Sequence, residues 1–218
     1  SLNSIGTTLL GGTVTGVGAL TTNSGGTTTI SADITTTGAQ QYNDNVTIGG
    51  TGTRTLSASA LSLNGTLNVD GRSIALLADT LSMSNNVTGA GAGQTATLAT
   101  QTADKSIGLA GGAGDLALSQ ALLSRFNSFG NLTVGRANSN SAITAGALQL
   151  GTHTTLVGGA AAINLAAITG NNFDLTVNTS GVTSLSGTIT GIDDLITDAT
   201  GSTRVGANIS SATQTYND

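Results

Sequence analysis

The sequence predicts an all-β fold, and within that class an elongated β-solenoid, a parallel β-helix, with few or no helices. Three observations predict it. The vocabulary is nearly helix-free: Glu is absent, Lys105 is the only lysine, charged residues are 8% and Gly numbers 32. Helices favour the straight-chain residues that are scarce here. Short stretches alternate apolar with polar residues between Gly, Asn and Asp, which is the period of a strand. Finally, the chain repeats itself, and stacked coils tolerate open-ended repetition where closed barrels do not.

Taken in order, the strand candidates are TVTGV (13–17), TTTISADI (27–34), NVTIG (45–49), RTLSASALSLNGTLNVDG (54–71), LTVG (132–135), ITAGALQL (143–150), INLAAITG (163–170) and DLTVNT (174–179). Only LNGTL (63–67) offers an Asn-Gly hairpin signal. Inward Leu, Val, Ile and Ala would fill a narrow coil, outward Thr and Ser would form ladders, and Gly and Asn would turn the corners. One segment departs from the pattern. In LSQALLSRFNSFG (118–130), Leu122, Phe126 and Phe129 fall at helical spacing. The expectation there is a wider coil corner plugged by aromatics, with a short helical turn as the alternative.

Composition also excludes function classes. The chain is 38% apolar, lacks proline and carries a net charge of −5, unlike a disordered segment. Without cysteine it has neither disulfides nor thiolate metal sites. The acidic balance and the absence of a basic run argue against nucleic acid and anionic membranes. There is no leader-like start, and no apolar run approaches the length of a membrane span, so membrane insertion is not expected.

The repeat is the strongest signal. Residues 1–44 align with 176–218 at an offset of 175, falling to 174 after a one-residue gap, with 18 identities in 43 aligned positions. The chain therefore reads as one continuous solenoid segment over 1–218, built on a unit of about 175 residues. Coils of about 20 residues would give a unit on the order of 40 Å long. Both ends stop in repeat sequence and neither reads as capped, so continuation into neighbouring repeats is expected. Tyr42, Asn43 and Asp44 recur as Tyr216, Asn217 and Asp218, and these six mark a fixed corner of the unit. Each Tyr is expected to pack its ring over a corner with its hydroxyl reaching water, rather than to bind a ligand.

No motif carries chemistry, and no enzyme activity, cofactor or metal is expected. Asp193, Asp194 and Asp198 align with Gly18, Ala19 and Asn23, so they read as a solvated turn outside the unit's shared design. His153 has no acid or nucleophile near it in sequence. GGAGDLALS (111–119) resembles a calcium nonapeptide but occurs once. The TTT runs at 27–29 and 35–37 suggest an ice-matching grid, yet their aligned copies do not keep it. Sequons begin at Asn45, Asn64, Asn86, Asn131, Asn178 and Asn208, about as many as this composition gives by chance.

The run DLTVNTSGVTSLSGTITGIDDLITDATGSTRVGANISSATQTYND (174–218), with LTVG…SAITAGALQL (132–150), resembles the tandem repeats of giant filamentous-haemagglutinin-like bacterial surface proteins. The resemblance implies a right-handed parallel β-helix shaft, an extracellular or cell-surface location, export through an outer-membrane partner, and a role in adhesion or biofilm. It carries over no receptor-binding residue. The expected function is thus a non-enzymatic stalk or fibre repeat of a secreted adhesin. The alternatives are a filament or sheath subunit that associates laterally with itself and, from another class, a polysaccharide-binding or -cleaving β-helix.

Overall fold

The computed structural model describes residues 1–198 and 200–217. Every strand pairing among them is parallel. The chain is an all-β solenoid, as its alternation predicts. A path of ten strands runs through a 13-stranded sheet, and each step along it is one coil. A five-stranded sheet accompanies the first coils and a six-stranded sheet the later ones. Asn64-Gly65 is not a hairpin. It is a corner whose glycine is required, because a Cβ there would lie 2.2 Å from the Asp44 carbonyl oxygen.

One column of paired residues shows how the coils hold together. Val14, Ile34, Leu56, Leu76, Leu98, Val134, Leu156, Val177 and Thr197 each pair with the next. The steps are nearly uniform, as from Ile34 to Leu56 and on to Leu76, except that the step from Leu98 to Val134 is much longer. From Ile34 to Val177 these aliphatic side chains are no more than 1% exposed, so each is sealed by the coils above and below. Burying one stabilises the fold by about 1.5–3 kcal/mol. The neighbouring outward column includes Thr97, Thr133, Thr155 and Thr176 in register, the expected ladder.

The long step accommodates the segment that broke the pattern. Gln120–Leu123 is a turn of α-helix, continued by 3-10 turn Ser124–Phe126. The wider corner is plugged by aromatics, and its backbone is the short helical turn given as the alternative. Ser119 supplies the cap, its hydroxyl accepting from the Leu122 N–H at 3.2 Å. Leu122, Phe126 and Phe129 all point inward, and the two rings sit 6.1 Å apart.

The sequence repeat is also a repeat of register. Thr7–Leu10 lies on Thr27–Ile30 as Val182–Leu185 lies on Ser202–Val205, pair for pair at an offset of 175. The irregularity between Val14 and Val17 recurs between Ile189 and Ile192. The alignment gap has a structural cause. The first copy bends at Thr37-Gly38 between Ile34–Thr36 and Ala39–Tyr42, whereas Ile209–Tyr216 runs straight through. One offset does not close, however. Eight coils carry the column from Val14 to Thr197, and Thr197 is the counterpart of Thr22. The column has advanced eight residues within the unit, 22 − 14, about a third of a coil.

Candidate functional site

The recurring Tyr-Asn-Asp corner is built from the inside outward. Tyr42 ends strand Ala39–Tyr42 and pairs with Leu63 of the coil above, which leaves its side chain 0% exposed. Its hydroxyl donates to Gln40 Oε1 at 3.0 Å rather than reaching water. The Gln40 amide, equally buried, donates to the carbonyls of Ile34 and Ser57 at 3.1 and 2.8 Å. Burial, and secondarily the charge of Asp44, pushes the Tyr42 phenol above its ordinary range.

Asn43 and Asp44 then close the corner against neighbouring coils. Asp44 is 4% exposed, and its two oxygens accept from the hydroxyls of Thr22 and Thr28 at 2.7 and 2.8 Å. Asn43 donates to the Thr22 carbonyl at 2.7 Å and accepts from Asn64, one coil on, at 2.7 Å. Gln40, Tyr42, Asn43, Asp44, Thr22 and Thr28 are all identical in the aligned copy. The repeat therefore keeps the residues that lock its corner. In the second copy Tyr216 donates to Gln214 at 2.9 Å and Asn217 to the Thr197 carbonyl at 2.8 Å, which is the same wiring. Asp218 lies outside the described residues.

The candidates for chemistry are placed separately. Asp193 and Asp194 lie within strand Ile189–Thr197, not in a turn, because that stretch pairs with the coils on both sides. Asp194 accepts from Thr213 at 2.6 Å, and Asp198 accepts from the Thr179 N–H at 3.1 Å. His153 does meet an acid: its Nδ1 is 2.9 Å from Asp174 Oδ2. The sequence signal for that pair is a separation of one coil. Asp115, from the glycine-rich run, accepts from the Ser106 hydroxyl and N–H, and these bonds hold its carboxyl below the ordinary range. Among the described residues, no group of three or more His, Cys, Asp or Glu is placed to hold a metal ion, and no helix is long and apolar enough to cross a membrane.

The insert creates a feature that alternation could not foretell, a groove of about 280 Å³ between it and the next two corners. Asn127 from the insert, Gln149 and Gly151 from one corner, and Phe173 from the next all line it. No family model, curated protein or solved structure matches the chain.

Proposed function

We propose that this chain is a length of shaft in a large bacterial surface adhesin or filament, similar to filamentous-haemagglutinin-like exoproteins, and that it acts by reach and stiffness rather than by catalysis. The observation that carries this reading is the corner network. Six of the residues kept between the copies, Gln40, Tyr42, Asn43, Asp44, Thr22 and Thr28, form one hydrogen-bonded corner within and between coils, most of it buried. A stack whose coils touch only their neighbours depends on such contacts.

The sides of the shaft support a solvated stalk over a laterally packed sheath. Among the described residues the large exposed apolar side chains are Ile5, Leu9, Val17, Val205 and Tyr216, all on the first and last coils. The flanks between them offer hydroxyls and amides, a surface compatible with water. Antibodies against the chain should decorate intact, unpermeabilised producing cells, and protease treatment of those cells should remove the label. Labelling that appears only after permeabilisation would overturn the proposal.

A further inference from the structure

We infer that the groove beside the helical insert binds an uncharged oligosaccharide, a function separate from that of the shaft and independent of it. The argument starts with Phe173. Two successive non-glycine residues before it, Asn171 and Asn172, adopt left-handed backbone angles, φ 52° and 64°. Asn accepts such angles more readily than other side chains, and the pair turns the chain at this corner. The strand register is irregular on both sides of Phe173. Bulges of this kind re-aim side chains, and here the partly buried Phe173 ring packs against the aliphatic interior at the edge of the groove. The ring is half-buried, lies at the groove wall, and is held edge-on by His153 at 5.6 Å and 82°.

The side of the groove nearest the insert is fixed just as specifically. Gln120 clamps the insert to the shaft as a strand would, donating to the Gln149 carbonyl at 2.9 Å and accepting from its N–H at 3.0 Å. That leaves the Gln149 side chain free. Asn127 rests on Gly151, where a Cβ would fall 2.1 Å from Asn127 Oδ1, so the glycine makes room for the amide. The side-chain amides of Asn127 and Gln149 make no hydrogen bond among the described residues. Each offers both donors and an acceptor. Two open amides and an aromatic ring lining one groove suit a pyranose, whose C–H face stacks on the ring while its hydroxyls bond the amides. The volume is close to the lower end of small-ligand sites, roughly 300–1,000 Å³, which suits one or two sugar rings. Among the described residues no cationic side chain lines the groove, so an anionic glycan would find no partner there.

The test is saturation-transfer NMR and calorimetry on the whole chain with cellobiose, maltose, lactose and chitobiose. The expected result is binding of at least one, with transfer strongest at ring C–H protons. Phe173→Ala should weaken it at least about tenfold, equivalent to about 1.4 kcal/mol. Asn127 is exposed and its side chain makes no hydrogen bond among the described residues, so Asn127→Ala should weaken binding several-fold without changing the melting temperature. Absence of saturable binding by all four sugars, or binding unaltered in both variants, would overturn the inference. Neither outcome bears on the shaft, which the surface-labelling experiment tests separately.

Discussion

Tyr42 and Tyr216 occupy the same corner of the repeating unit and make the same hydrogen bond to a glutamine two residues back, yet Tyr42 is wholly buried and Tyr216 is 39% exposed. The difference is one coil. Residues 54–63 stack on Tyr42, as the Tyr42–Leu63 pair shows. A side chain in this fold is therefore defined by its neighbours along the axis as much as by its own sequence.

That difference can be read optically, since the chain has only two tyrosines. Partial burial raises the Tyr216 phenol, whereas deep burial raises Tyr42 much further. Alkaline titration followed by ultraviolet absorbance should show two separate steps, the first assigned by its loss in Tyr216→Phe. The sign for stability follows. A raised folded pKa means that the contribution is whole below about pH 10 and is lost as pH rises beyond it. The melting temperature should fall above that pH, less steeply in Tyr42→Phe.

The buried corner predicts graded losses. Tyr42→Phe removes the donor to the buried Gln40 oxygen and should cost about 1–3 kcal/mol. Asp44→Ala leaves the Thr22 and Thr28 hydroxyls without their shared acceptor and should cost at least as much. Denaturant melts would check both, and a loss below about 0.5 kcal/mol in each would contradict the corner's role.

Acid should loosen the chain through a second carboxylate. Burial pushes the Asp79 carboxyl up, but the Thr102 hydroxyl and N–H and the Lys105 ammonium at 3.1 Å together pull it below the ordinary range. A lowered folded pKa gives stability that is present above the unfolded value, near 3.9, and lost as pH falls through the folded one. Asp79→Asn should lower the melting temperature at pH 7 and flatten its decline below about pH 4.

The insert should be an independent stability element. Phe126 is 0% exposed against Phe129, and Phe126→Ala should cost about 3–5 kcal/mol. Hydrogen exchange should then rise first in residues 107–135, while the coil carrying Tyr42 stays protected.

Alternation makes the coils legible because inward and outward positions differ at every second residue, as at Leu98 and Thr97. The corner residues are visible as a repeat, but their burial is not. Nothing local says that Leu63 will cover Tyr42, so a turn-like tyrosine reads as one whose hydroxyl meets water. The His153–Asp174 pair escapes a local reading because contacts in a solenoid lie one coil apart rather than near in sequence. The groove is beyond reach for a different reason. It depends on a backbone bulge at Phe173 and on where an insert lands, and period-two reading averages over both.

Whether the 175-residue unit extends a single continuous shaft is tested most directly by electron microscopy of a chain carrying two added units, joined at the equivalent Tyr42 and Tyr216 corners. Each unit spans between seven and eight coils, so each should lengthen the rod by about 37 Å at constant width. Because the paired column slips by about a third of a coil, successive inserts should also project about a third of a turn apart. Separate beads, or added mass without added length, would contradict the account.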